Sequence, residues 1–587
     1  MANCCVASDP DSHSYRKLVY DIENDWYAGN HPLKFTQQQE MAQHHIDQLQ
    51  RYRERVKADY SALSFLDSTL DSDNIFDAEN IDRALAFAKE IFNANQASTE
   101  SFLKISRNII ESSMSVLKQY GMEAPCHFVV IALGSAAREE VTPYSDLEYA
   151  FIVEENPSHE YFLRLAVDTY FRIGNVRESP PKIFDVDELK SNKVLKETAS
   201  RCITTGFRID GIMSVAGNIP TGLVEGKGFT MTVDEFMKVY ELSAIYPLED
   251  EKSGDKAEML SSTVVVYTNE GQTSKLYEEI QRRRIEYEST NAKADKEFNK
   301  KRLLSFSRDI ESYMFLPEFV KYQPPENLNV KVKADIFRYP TLLANNIKIC
   351  LTLSSTTSWE VYRELKERNF LSENNYNYLI IVLALSMYIR TSSYIAAGTQ
   401  ASVIVIDPHS KTSTDGLYRV PLNLFVTLGC LLVPIKRSVL QFLEGTDLSM
   451  HETNMETFVK ELTSSIHVNA SDFFLKAEVL YFAGDYDNSL NVLCAAIDTQ
   501  PDCLTYATLV HQLDERIELP PIDKRKCIEL CSYLLYVTRN YSCAVDYFKS
   551  LNVDNPEQSI LWQLLTAYCM KEMGKCEDAS MLLKKVC

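Results

Sequence analysis

Asp146 and Glu148 stand two residues apart in Asp146-Leu147-Glu148-Tyr149-Ala150-Phe151-Ile152-Val153, a run that reads as a strand. Side chains on a strand alternate between faces, so these two carboxylates share one. Such a pair can hold a divalent cation between protein oxygens and phosphate oxygens. Upstream, Gly134-Ser135 directly follow the β-branched apolar run Phe128-Val129-Val130-Ile131-Ala132-Leu133. A helix starting there leaves its first amides unpaired, so the turn offers backbone N–H groups and a hydroxyl to an anion. Metal-assisted phosphate chemistry is what this combination allows. Arg138, between the two features, can steady phosphate charge or simply pair with Glu139 or Glu140.

The elements that must position these groups read as strand, tight turn, short helix, turn and strand. Thr142-Pro143-Tyr144-Ser145 supplies the turn chemistry. Helices are expected at 35–65, 78–95 and 98–120 before the first strand, with Gly121 as a C-cap. A helix over 158–174 follows the second strand. A strand at 182–187, a helix at 188–197 and a strand at 202–213 would complete an α/β core spanning about 122–225. From 232 to 448 the patterns are almost all helical, at 234–242, 274–288, 342–353, 359–368, 377–394 and 422–443. The Ser/Thr-rich loop 352–357 is placed to cap the helix that begins near Trp359.

Composition sets limits. A chain of 587 residues with 45% apolar and 24% charged residues is an ordinary folded protein of about three or four domains. Its net charge of −21 weighs against nucleic acid and anionic membranes as partners, since phosphate contacts need a basic surface. Fourteen cysteines without CxxC pairs, and no apolar leader after Met1, suggest a reducing, cytoplasmic setting with thiols as core residues. Palmitoylation at Cys4-Cys5 would by itself hold a membrane weakly. The longest apolar run, 378–389, is about twelve residues, short of the roughly twenty that a span needs. We expect a soluble protein with no membrane partner.

Near the C-terminal end a helix–turn–helix spacing recurs. One copy runs through Ala477, Gly484, Ser489, Leu493, Ala496 and Pro501. A second holds Tyr541, Ala544, Phe548 and Pro556, and a third Ala567, Gly574, Ala579 and Leu583. The spacing resembles tetratricopeptide repeats, whose stacked pairs form a concave face for a partner segment.

Gly134-Ser135, Arg138, Glu140, Ser145-Asp146 and Glu148 together give G-S-x-x-R-x-E-x-x-x-x-S-D-x-[DE]. This resembles the nucleotidyltransferase superfamily signature, in particular the N-terminal domain of protein-PII uridylyltransferases and the related domain of bacterial CBS-domain signalling proteins. Phe207-Arg208-Ile209-Asp210-Gly211-Ile212-Met213 is similar to that family's D-G-x-M segment. Phe337-Arg338-Tyr339-Pro340 through Arg390-Thr391 to Ala397-Gly398 is similar to its helical substrate-binding partner domain. The resemblance covers about 122–445. It implies an α+β, polymerase-β-like nucleotidyltransferase domain embedded in a mostly helical multidomain chain, with a C-terminal tetratricopeptide-like α-solenoid. The expected divisions are 1–121, a helical N-terminal region; 122–230, the nucleotidyltransferase domain; 231–447, the substrate-binding-like domain; and 465–587, the repeats.

The resemblance also implies roles. Gly134, Ser135, Arg138 and Ser145 would bind the nucleoside triphosphate. Asp146, Glu148 and Asp210 would be catalytic and hold two Mg²⁺, with Asp185 or Asp187 as alternatives for the third carboxylate. The activity implied is uridylyltransferase-like transfer of a nucleoside monophosphate to an acceptor hydroxyl, with release of pyrophosphate. The acceptor would be a protein, with a small molecule as the alternative, and the repeats would recruit it or regulate the transfer. Glu148 departs from the usual Asp and is one methylene longer, so a pseudoenzyme is an open alternative. A second reading is a catalytically inactive scaffold that binds proteins through its repeats. An RNA-tailing polymerase fits the charge least. The His-Asp pair of the uridylyltransferases' hydrolase domain does not occur in this sequence, so removal of the modification is not expected.

Overall fold

The computed structural model describes residues 16–17, 20–21, 24, 29, 31–63, 77–156, 159–176, 230–245, 260–271, 274–294, 296–311, 330–400, 403–407, 418–451, 454–469, 472–496, 509–510, 521–551 and 556–586. Two long helices open it, α1 (Phe35–Ala62) and α2 (Ala78–Gln119). The second was expected as two helices, 78–95 and 98–120, and is one. The polar stretch around Asn95 and Ser98 contains neither Gly nor Pro, and its side chains are satisfied by tertiary partners. Asn95 Oδ1 accepts from Tyr60 Oη at 2.9 Å, its Nδ2 donates to Met387 Sδ at 3.3 Å, and Ser98 Oγ lies 2.9 Å from Tyr52 Oη. Buried polar groups cost little once paired, so the helix continues through them. Gly121 closes it with φ +85°, and the amides of Gly121 and Met122 return to Lys118 O and Leu117 O.

The sheet that carries the site has the order β3-β2-β1-β4. Its members are β1 (Phe128–Leu133), followed by the single turn α3 (Gly134–Ala137), β2 (Tyr149–Val153), β3 (Thr230–Thr232) and β4 (Thr263–Thr268). Strand β1 is central, antiparallel to β2 and β4, while β3 runs parallel to β2. Every residue of β1 and β2 is buried. Phe128, Val130 and Ala132 face the large core shared with α2, whereas Val129, Ile131 and Leu133 face a smaller core with Phe236, Met237 and Tyr240. A strand covered on both faces reads as a continuous apolar run, as this one does.

Strands β3 and β4 fall at and beyond the point where only helices were expected. The signal for β4 was present, since Thr263-Val264-Val265-Val266-Tyr267-Thr268 is β-branched throughout. The expected elements at 182–187, 188–197 and 202–213 lie outside the described residues. So do Asp185, Asp187 and Asp210.

Helix α4 (Glu160–Asn175) backs the sheet. Then come α5 (Val233–Ile245), α6 (Lys275–Ala294) and α7 (Lys296–Glu311). A short strand β5 (Val330–Lys331) leads into a π-helical turn, Val332–Phe337, and on to α8 (Arg338–Leu351), α9 (Ser358–Glu367) and α10 (Glu373–Ala397). Thr357 caps α9 as expected, in a reciprocal pair with Glu360. Strands β6 (Val403–Asp407) and β7 (Arg419–Pro421) form a second small sheet with β5, then α11 (Leu422–Gly445) and α12 (Met455–Ser465) follow. Helices α10 and α11 are long and apolar enough to cross a membrane, although the apolar run of 378–389 looked too short for that. Both are mostly buried against the rest of the protein.

The last described helices come in antiparallel pairs: α13 (Phe473–Phe482) with α14 (Tyr486–Ala496), α15 (Pro521–Val537) with α16 (Tyr541–Ser550), and α17 (Pro556–Glu572) with α18 (Cys576–Val586). One turn geometry joins each pair. Gly484, Arg539 and Gly574 all have positive φ, and each donates to a carbonyl three residues back. Ser489, Ala544 and Ala579 are small, buried and equivalent, each donating its amide to the cap residue.

Candidate functional site

Asp146 and Glu148 come to the end of the sheet in extended chain immediately before β2. The expected strand from Asp146 therefore starts three residues later, at Tyr149. Register is nevertheless kept, because Leu133 N donates to Glu148 O at 2.9 Å across from β1. Both carboxylates are half-buried. Gly134 shows why a glycine follows β1. Its φ is +59°, and the Glu148 carboxylate occupies the place a Cβ would take, with Glu148 Cδ 3.0 Å from that point. The glycine thus provides a left-handed turn and room for a carboxylate beside the backbone. Next to it, the Ser135 side chain is half-buried, and Ser135 O accepts from Glu140 N at 2.9 Å.

Arg138 and Ser145 are used internally. Arg138 Nε donates to Glu140 Oε2 at 2.9 Å, and both side chains are buried, so the Glu140 pairing left open by the sequence is the one formed. Glu140 gathers further partners: Ser358 Oγ donates to its Oε1 at 2.9 Å and Arg390 Nη1 to its carbonyl at 3.2 Å. The loop after Gly134 is thereby tied to α9 and α10. Ser145 Oγ accepts from Thr142 N at 2.9 Å and holds the turn before Asp146. Two distant groups clasp the same turn: Arg53 Nε donates to Pro143 O and Gln400 Nε2 to Tyr144 O, each at 2.9 Å. The Arg53 guanidinium also lies 4.3 Å over the Tyr144 ring.

Within electrostatic reach of the carboxylates is a lysine that the motif did not contain, with two arginines near it. Lys333, on the π-helical turn, feels the charges of Arg390, Arg338, Asp146 and Glu148. Its side chain reaches solvent, yet desolvation lowers its pKa first, Arg390 and Arg338 add to this, and the two carboxylates oppose it. Lys333 is thus exposed at one side and walled by protein on the others, and we call the space around it and the two carboxylates the cleft. Arg390 is held by stacking, 4.1 Å over Phe337 and 5.5 Å over Tyr394. Arg338 and Arg390 fell inside segments that resembled the helical partner domain, whereas Lys333 carried no signal. Glu139, left-handed at φ 57°, is pushed up to about 7 by burial and then by Glu360 and Glu100.

Two adjacent carboxylates near a lysine that has two arginines around it suit a metal-bound polyphosphate. Magnesium commonly takes only one or two protein carboxylates and completes its shell with phosphate oxygens and water. The residues present fit it on that basis. Among the described residues no three carboxylate, His or Cys groups converge as a metal site.

A family model described as "Putative nucleotidyltransferase DUF294" matches residues 84–170. The match takes in most of α2, both central strands, Gly134-Ser135, Asp146 and Glu148, and supports placing this segment in the nucleotidyltransferase superfamily. No curated protein matches the chain.

Proposed function

We propose that this protein transfers a nucleoside monophosphate from a nucleoside triphosphate to an acceptor hydroxyl, in the manner of the protein-PII uridylyltransferases. One observation carries the reading: Asp146 and Glu148, the latter against the left-handed Gly134, act on the same Lys333 on which Arg338 and Arg390 act. Asp146 and Glu148 would hold Mg²⁺, two ions if Asp210, Asp185 or Asp187 adds a third carboxylate. The metal when bound supplies charge neutralisation at the α-phosphate and acidifies the acceptor hydroxyl. Ser135 and the Gly134 backbone would hold the triphosphate, and Lys333 and Arg338 would balance its remaining charge. The acceptor oxygen forms a bond to the α-phosphorus, the bond to the α–β bridging oxygen breaks, and pyrophosphate leaves with that electron pair. The acceptor proton goes to solvent. Arg138 and Ser145 act by holding the loop. The acceptor is a protein segment delivered by the C-terminal helix pairs, which are tetratricopeptide-like, and the reaction is cytoplasmic.

A specific feature favours a second reading, a silent scaffold. The Lys333 ammonium already sets a positive charge before Asp146 and Glu148, and could stand where a metal would. Labelled ATP, UTP, GTP and CTP incubated with the protein and Mg²⁺ separate the two. Transfer of label or release of pyrophosphate, abolished in Asp146→Ala/Glu148→Ala, is expected. Absence of both, with no magnesium-dependent nucleotide binding, sinks the enzyme reading and leaves the scaffold.

A further inference from the structure

Three cations lie inside the protein, apart from the cleft. Arg284 on α6, Arg302 on α7 and Lys348 on α8 are 3%, 6% and 3% exposed. They belong to one cluster. The Ser261 carbonyl accepts from Arg284 Nη1 and from Lys348 Nζ, the latter at 3.1 Å. Lys348 Nζ also donates to Ser262 Oγ at 3.0 Å. Arg302 Nη1 donates to the carbonyl of Ile349, the residue after Lys348, at 2.9 Å, and its guanidinium lies 4.3 Å over the Phe298 ring. Arg284 and Arg302 both act on the buried Tyr240 phenol.

Among the described residues their three charges meet one carboxylate within the cluster. Glu288 is a buried carboxylate in the cluster, and Tyr240 Oη donates to it. Among the described residues Glu288 forms no ion pair with Arg284, Arg302 or Lys348, and Arg284 Nε, Arg302 Nε and Arg302 Nη2 find no hydrogen-bond partner. A buried charge is tolerated when it is paired, when it loses its proton, or when an ion joins it. Arginine does not lose its proton and, among the described residues, no pair is made, which favours an ion as the partner. The Nε–Nη2 edge of Arg302 is a fork that matches the geometry of a tetrahedral oxyanion, and Arg284 adds its Nε.

We propose that Arg284, Arg302 and Lys348 form an internal site for a phosphate oxyanion, either free phosphate or the phosphate group of a small ester. The hydrogen-bond partners of these cations, Ser261, Ser262 and Ile349, are not among the residues placed around Asp146 and Glu148. Without an anion, burial and then Arg284 bring the Lys348 ammonium down to about 7. A dianion beside it reverses that direction.

Two measurements on the full chain test this. Protein purified in chloride buffer is denatured and filtered, and the filtrate is examined by phosphorus NMR. Its chemical shift distinguishes orthophosphate from an ester. Thermal melts are then compared in chloride and in millimolar phosphate at equal ionic strength. The wild type carries a stoichiometric phosphorus signal, or melts several degrees higher in phosphate, and Arg302→Met does neither. In chloride Arg302→Met melts at or above the anion-free wild type, because removing an unpaired buried charge is neutral or stabilising. If Arg302→Met fails to fold, Arg284→Lys, which keeps the charge and loses the fork, takes its place in both measurements. A wild type with no phosphorus and no phosphate-dependent rise overturns the proposal. So does a rise that survives in Arg302→Met, or one that is lost in Lys333→Met and therefore belongs to the cleft.

Discussion

At the scale of the residue, Gly134 is the position where the site tolerates least change. Any side chain there would have to sit at φ +59° and share space with the Glu148 carboxylate. The left-handed backbone costs a non-glycine residue roughly 1–2 kcal/mol. The clash itself is with the end of a flexible side chain, so the carboxylate moves before the sheet does. Gly134→Ala is therefore expected to cut nucleotidyl transfer at least about 100-fold, on the scale of displaced catalytic groups, while circular dichroism and melting temperature change little. Full activity with bound magnesium unaltered would refute this placement of Glu148. Gly134 and Glu148 were each legible as motif positions, and they meet because they adjoin the same end of the antiparallel pair β1 and β2. Lys333 was not legible, since its approach depends on folding a distant π-helical turn back over the site. A lone lysine in Val332-Lys333-Ala334-Asp335 has no local pattern to mark it.

At the scale of the element, the sequence showed most helices and misplaced what depends on tertiary partners. Helix α2 runs through Asn95 because Tyr60 and Met387 satisfy that side chain, and neither contact has a local signature. The C-terminal turns show the opposite case, a rule visible in the sequence and broken once. Gly484 and Gly574 mark two of the three equivalent turns, and the third carries Arg539 at φ +65°. Its amide bonds Tyr536 O, and the next amide bonds Leu535 O, as in the glycine turns. Arg539 is exposed, so its side chain loses little on removal. Replacing it with glycine relieves the left-handed strain, of roughly 1 kcal/mol, and sacrifices part of this to a freer unfolded chain. Arg539→Gly should raise the urea midpoint of the C-terminal helices, by a shift equivalent to roughly a few tenths of a kcal/mol. A lowered midpoint would show that Arg539 contributes through its side chain, against the shared-turn argument.

At the scale of the whole molecule, the question is whether the C-terminal pairs are fixed to the body or merely tethered to it. Helix α13 belongs to both cores: Leu475, Val479, Leu480 and Ala483 pack into the large one, and Phe474, Ala477, Tyr481 and Phe482 into that of the repeats. Arg437 of α11 pairs with the buried Glu478 at 3.0 Å on the same helix. The closest approach is at Gly429 on α11, where a Cβ would lie 2.8 Å from Val479 Cγ1 and 2.9 Å from Cγ2. Val479 is fully buried and β-branched, so it cannot swing aside. Glycine inside a helix costs about 1 kcal/mol against alanine, and its presence here is explained by that contact. Gly429→Ala should gain that propensity and lose about 1–3 kcal/mol to overpacking, a net loss. Val479→Ala alone opens a void and also destabilises. The double variant lets the new methyl fill the space that valine leaves, so its loss should be smaller than the sum of the single losses by 1 kcal/mol or more. Urea melts of the four proteins measure the coupling directly. Additive losses would mean that α11 and α13 do not press together at Gly429, and the helix pairs would then be tethered to the body without being fixed to it.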